Sequence, residues 1–274
     1  MLRRVFVLAL ALALAACGDD EPDVLDPQDL RIVIVRGDGQ VSEVAPAGPS
    51  ADVVMSVRYD KTPDPSTVLP DTLVARITGP EASASLTGPS FAVLPPNTVA
   101  YFAVTENGCG SAWIPSAIPD SDGYVRTLWE LPTKLPGVRW YAEGWGRMCE
   151  MEVRVLVDAD FVTDTIFRAF FTPGPVRYHS FFAGNVFAGK EIGHAQMSDA
   201  HQNLVPYEYR VDCDCAEAIG TIEQYGSVYP KVVPIAPGEG LLHVVALGGD
   251  TIATAQLTVR QSTDGDWLEI LAQF

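Results

Sequence analysis

Cys213-Asp214-Cys215 sets two sulfurs two residues apart, and Cys109 and Cys149 lie upstream of them. Such a set can form disulfides in an oxidising compartment or supply thiolates to a soft metal. Four cysteines allow three pairings. Joining 109 to 149 and 213 to 215 is favoured, and the longer loop of about 40 residues would contribute on the order of 3 to 4 kcal/mol by chain entropy. Residues i and i+2 of a flat strand lie about 6.5 Å apart, at the upper end of disulfide reach, so 213–215 requires a bulge or turn. Crossed bridges between the two halves, and a two-thiolate metal site with histidine ligands, remain open. All four histidines, His179, His194, His201 and His243, fall in the second half. None begins a His-Glu-x-x-His pair. His194, Asp199 and His201 can meet around a turn and hold a metal; dispersed surface or core histidines are the alternative.

Other local patterns fail on inspection. Gly184 to Lys190 has phosphate-loop spacing, but Glu191 stands where a Ser or Thr must bind Mg²⁺, so no nucleotide is expected. Asp120-x-Asp122-Gly123 copies the middle of an EF-hand loop, yet Ile118 and Trp129 occupy the first and last ligand positions, which leaves a hairpin turn. There is no Gly-x-Ser-x-Gly elbow to seat a hydrolase triad. Trp129, Trp140, Tyr141 and Trp145 could form a sugar-stacking platform, or belong to core or to a seam between domains.

The chain has 274 residues, 47% of them hydrophobic and 19% charged, and a net charge of −17. That is too apolar for an acidic disordered polymer, and it lacks the basic footprint nucleic acid requires. Its length allows one large or two ordinary domains.

At the N-terminus Arg3 and Arg4 precede an apolar run over residues 5–16. As a helix this run would span about 18 Å, short of the roughly 30 Å hydrocarbon core, so it reads as a secretory signal rather than a transmembrane helix. Leu14-Ala15-Ala16-Cys17 resembles the lipobox of bacterial lipoproteins. That resemblance implies cleavage after Ala16, diacylglycerol on the Cys17 sulfur, and acylation of the new amine. Gly18 at the second mature position implies sorting to the outer membrane, facing the periplasm or the exterior. Several acyl chains make a firm anchor. Removing Arg3 and Arg4 takes the charge from −17 to −19. The acidic, proline-containing stretch that follows, within residues 17–30, is expected to be an extended tether.

Beyond it, β-branched and aromatic runs recur between Gly, Pro, Asn and Asp clusters, with no sustained helical stripe, so the fold class is all-β. Strands are expected at 30–35, 53–59, 72–78, 99–105, 124–131, 138–143, 150–157 and 166–171. After the breaker Thr172-Pro173-Gly174-Pro175 come 177–182, 207–211, 218–222, 227–233, 241–247, 252–260 and 267–272. Val153, Val155 and Val157 should face one side and Glu152, Arg154 and Leu156 the other. This rhythm suits β-sandwiches over 31–173 and 176–274. Gly37-Asp38-Gly39-Gln40, the stretch from Val104 to Ser111, Asp120 to Leu131 with its Asp-x-x-Gly turn and Trp-x-Leu strand, and Phe167 to Pro175 resemble bacterial Ig-like domains. Residues 61–96 are longer than that family's norm. In the second half Asp199-Ala200-His201-Gln202-Asn203-Leu204-Val205-Pro206 is similar to the family's Asp-x-x-Gly-Asn-x-x-Pro hairpin, with Gln202 in place of Gly.

Such domains bring structural, adhesive or receptor-presenting modules rather than an active site. The expectation is a non-catalytic, exported, membrane-anchored lipoprotein without cofactor, whose two tandem Ig-like sandwiches present loops to envelope proteins or glycans or act as a spacer. The alternative is a metal-dependent or redox enzyme built on Cys213, Cys215 and the histidines of the second half.

Overall fold

A computed structural model of the chain describes residues 24–46, 65–79, 93–180, 186–193, 196–220, 230–246 and 250–274. The strand expected at 53–59 lies outside these. The described residues contain no α-helix, only strands and two short 3₁₀ turns, Pro27–Asp29 and Pro65–Thr67. The chain is all-β.

The first half contributes β1 (Arg31–Arg36), β2 (Gln40–Glu43), β3 (Leu73–Thr78), β4 (Thr98–Val104), β5 (Ser111–Ala112), β6 (Ser116–Ala117), β7 (Tyr124–Thr127), β8 (Trp129–Glu130), β9 (Arg139–Tyr141), β10 (Gly144–Val157) and β11 (Asp160–Thr172). One sheet runs β1-β3-β7 and the facing one β2-β11-β10-β4-β6. Ala75, Ile77 and Val125 from the first sheet meet Phe102, Met151, Val153 and Phe167 from the second in one hydrophobic cluster. The period of two in β10 explains this: Val153, Val155 and Val157 are buried, while Arg154 is exposed and Glu152 and Leu156 are half-buried.

The Gly37-Asp38-Gly39-Gln40 turn carries the chain from one sheet to the other. Gly37 has φ +94°, and a Cβ there would sit 2.9 Å from Leu73 Cα. Asp38 accepts the Arg168 amide at 2.6 Å, and the Gln40 side chain both donates to Asp71 O and accepts from Asp71 N. The passage is thus tied to β11 and to the segment before β3, and β2 lies parallel to β11.

The acidic stretch is not a tether throughout. Val24 bridges Val93, the Leu25 amide donates to Val93 O, Leu25 packs on the core, and Leu30 is wholly buried. Burial of Leu25 and Leu30 outweighs the repulsion among the neighbouring carboxylates.

The second half contributes β12 (Tyr178–Ser180), β13 (Val186–Gly189), β14 (Gln196–Ser198), β15 (Tyr207–Asp212), β16 (Ala216–Ile219), β17 (Lys231–Pro234), β18 (Gly238–Ala246), β19 (Thr251–Gln261) and β20 (Leu268–Gln273). A five-stranded antiparallel sheet runs β13-β20-β19-β18-β15, and β12-β14 and β16-β17 form two ribbons. Val232 and Met197 from the ribbons join Leu242, Val244, Leu257 and Ile270 from the sheet in a second cluster, separate from the first. The segment with phosphate-loop spacing holds the edge strand β13.

Between β10 and β11, Asp158 and Ala159 both have positive φ, +50° and +72°. A two-residue hairpin demands that conformation, which Asp tolerates and Ala does not. Ala159→Gly is expected to raise stability by about 1 kcal/mol, read as a higher urea midpoint. An unchanged or lower midpoint would contradict the left-handed assignment.

Candidate functional site

Both halves carry the same hairpin. In the first, Asp120 Oδ1 accepts the amides of Asp122 at 3.1 Å and Tyr124 at 2.9 Å, the Gly123 amide donates to Asp120 O, and Gly123 has φ +80°. In the second, Asp199 Oδ1 accepts the amides of His201 and Asn203, each at 2.9 Å, the Gln202 amide donates to Asp199 O, and Gln202 has φ +65°. The aspartate closes the turn by replacing backbone acceptors, and the fourth residue takes the left-handed conformation. Gln202 therefore adopts the conformation glycine would.

The environments differ. Asp120 is near the surface. Partial burial pushes its carboxyl up, and hydrogen bonds from Arg126, Tyr124 and Asp122 more than reverse this, holding it below its usual value. A lowered folded-state value means stabilisation that is present above the ordinary aspartate range and lost as pH falls through the folded value. Asp199 is 1% exposed. Its second oxygen accepts the Gly174 amide at 2.9 Å and the Asn203 side-chain amide at 2.8 Å, so four N–H groups surround one carboxylate.

That hairpin plugs into the first half. Asn203 Oδ1 accepts the Leu135 amide at 2.7 Å, and its Nδ2 donates to Thr133 O. Trp145 Nε1 donates to Leu204 O at 2.9 Å, and His201 Nε2 lies 2.8 Å from Ala45 O, an acceptor that fixes the proton on Nε2. A cavity of about 950 Å³ opens beside this seam, lined by Val44, Val68, Leu131, Val176 and four prolines, with Glu43 and Arg177 among its polar groups.

Cys109 and Cys149 form a disulfide, fully buried in the first cluster. Cys213 and Cys215 form the second, with Cα atoms 5.2 Å apart, at the turn where β15 leaves the five-stranded sheet for the β16-β17 ribbon. This is the departure from flat strand geometry that so short a bridge requires. Gly238 and Gly240 of β18 lie against it: a Cβ on Gly240 would fall 2.5 Å from Cys213 Cβ, and one on Gly238 2.8 Å from Cys215 Cβ.

The proposed metal trio does not assemble from the described residues. His194 lies outside them, Asp199 has its oxygens filled by N–H donors, and His201 is committed to Ala45. His179 falls in β12, and His243 lies in β18 with Nδ1 3.0 Å from Thr254 Oγ1. No group of three or more His, Cys, Asp or Glu able to hold a metal occurs among the described residues.

The aromatic platform divides. Trp129 is fully buried, packed edge-on against Phe171 with Nε1 donating to Cys109 O, so it offers no face to a sugar. Trp140 and Trp145 pair across the β9-β10 hairpin, ring centroids 5.6 Å apart, and Tyr141 packs edge-on against Phe170. These three are half-buried. Cys17 lies outside the described residues. Asn203 and Gly240, absent from the sequence-derived candidates, emerge as positioning residues; the only sequence signal for Asn203 was its place in the hairpin pattern.

No protein-family model matches the chain, and no curated protein matches it.

Asp199→Ala would leave three amides and the Asn203 side chain without their acceptor. The expected loss is about 3 to 5 kcal/mol, measured by denaturant unfolding. Arg126→Ala is expected to shift only the acid limb of the stability curve below about pH 4, by under about 1 kcal/mol, because the Arg126–Asp120 pair is exposed. An acid limb identical to that of the parent protein would show that Arg126 does not hold the Asp120 carboxyl down.

Proposed function

We propose that this protein is an exported, non-catalytic lipoprotein of the bacterial envelope, anchored by acyl chains on Cys17, most fittingly in the outer membrane. Its two β-sandwich bodies are Ig-like and present loops to envelope proteins or glycans, or hold such a partner at a set distance. The observation that carries this reading is the pairing of all four cysteines downstream of Cys17 into two disulfides. Paired cysteines belong to oxidising compartments.

Further support comes from strand order. β1-β3-β7 on one sheet and β4-β10-β11 on the other follow the A-B-E and C-F-G order of immunoglobulin-type sandwiches. The aspartate hairpin repeated in the second half extends the likeness there. The metal or redox alternative is less well supported, because Cys213 and Cys215 are bonded to each other and Asp199 is occupied as a hairpin closure.

The test is metabolic labelling with a radioactive fatty acid, followed by membrane fractionation. The parent chain is expected to take up label and sediment with membranes; Cys17→Ser is expected to lose the label entirely. Equal partitioning of both, without label, would refute the anchor.

A further inference from the structure

The pole of the first half from which the N-terminal segment emerges is unlike the rest of that sheet's outer face. Phe161 on β11 pairs with Leu156 on β10, which pairs with Val99 on β4. The Ala100–Ala117 pair then sets Ile118, just past β6, beside Val99. Paired residues point to the same side of a sheet. The strands alternate, and the neighbouring Val155, Val157 and Ala100 are buried inward, so this row of four apolar side chains faces outward. Ile118 is 81% exposed and Phe161 60% exposed.

One step along the strands the face turns polar, with Ser116, Tyr101, Arg154 and Asp164 in register. Val24 and Val93, bridged at the same pole, are also exposed. No described strand pairs beyond β6. A one-sided apolar rim of this kind calls for an apolar partner.

Its position identifies that partner. Only residues 18–23 separate Cys17 from Val24. Seven Cα steps reach at most about 25 Å. The seam contacts fall at the opposite pole, at Trp145 near the start of β10 and at Gly174 just past the end of β11. A chain acylated at Cys17 therefore keeps this rim within about 25 Å of the bilayer, close enough to touch it.

We propose that the row Phe161, Leu156, Val99 and Ile118, with Val24 and Val93, is a membrane-contact surface that seats the first half on the leaflet carrying the Cys17 acyl chains. This rests on the lipid-anchor reading. Apolar side chains at the headgroup boundary add to acyl anchoring in proportion to the area they bury. Asp158 and Asp160 lie at the tip of the same hairpin. A zwitterionic headgroup accommodates those carboxylates better than an anionic one. The body would stand on the membrane with the seam and second half directed away.

The test is hydrogen exchange on the acylated full-length protein bound to phosphatidylethanolamine–phosphatidylcholine vesicles, against the lipid-free Cys17→Ser chain in solution. Peptides containing residues 114–118 and 156–163 are expected to exchange about fivefold or more slowly on vesicles, with seam residues 131–135 unchanged. Ile118→Ser combined with Phe161→Ser should abolish that protection while co-sedimentation persists; both side chains are largely exposed, so the fold should survive. Co-sedimentation of the parent without protection would overturn the contact surface and leave the anchor intact. Failure to co-sediment would overturn both. Protection of the same peptides in the lipid-free chain, rising with its concentration, would overturn the proposal in favour of a second copy of the chain.

Discussion

The arrangement of the two halves depends on one buried carboxylate. Removing a charge from water is costly unless it is met by enough donors, and Asp199 meets four: three backbone amides and the Asn203 side chain. One of these amides belongs to Gly174, between the halves. The same carboxylate therefore shapes its own turn, fixes the linker and orients Asn203, which spends its other amide groups on Thr133 and Leu135. Satisfying the charge and joining the halves are the same event.

The first half shows how a sandwich is closed when its opening strand must serve both sheets. β1 belongs to one sheet and β2 to the other, with only Gly37-Asp38-Gly39 between them. Gly37 permits the close pass over Leu73, and Asp38 and Gln40 then meet backbone groups that the crossing would otherwise strand. At the Cys213–Cys215 corner the means differ: two missing Cβ atoms on β18 leave room for a bridge that could not lie on a flat strand.

Much of the architecture was legible in the sequence because period-two runs such as 150–157 force one face inward, and because Asp-x-x-Gly and Asp-Gly pairs mark turns whatever surrounds them. β2 and β13 were not legible. Gln40–Glu43 is stabilised by a distant parallel partner, and the Val186–Gly189 strand is flanked by glycines that suggest a loop. The sequence places the start of this strand at Ile166 rather than Asp160, since Asp160 and Asp164 depress strand propensity that pairing with β10 restores. Among candidate site residues the disulfides found are the pairing favoured among three, although flat strand geometry counts against 213–215 and the sequence left crossed bridges and a metal site open. Core was one reading open for Trp129, which the fold bears out, whereas the saturation of Asp199 was not legible because one of its donors, Gly174, lies 25 residues away.

The parallel pairing of β2 with β11 sets an order of arrival. Gln40 lies opposite Ala169, and Glu43 opposite Thr172. A chain synthesised from its amino end must hold residues 40–43 unmatched until well over half of it has been made. Contacts so remote in sequence slow the search for the native state, and an unfilled strand edge is open to foreign strands meanwhile. Were the chain anchored at Cys17 as proposed, it would make that wait at a fixed post, where neighbours tethered to the same surface would be the first candidates for mispairing.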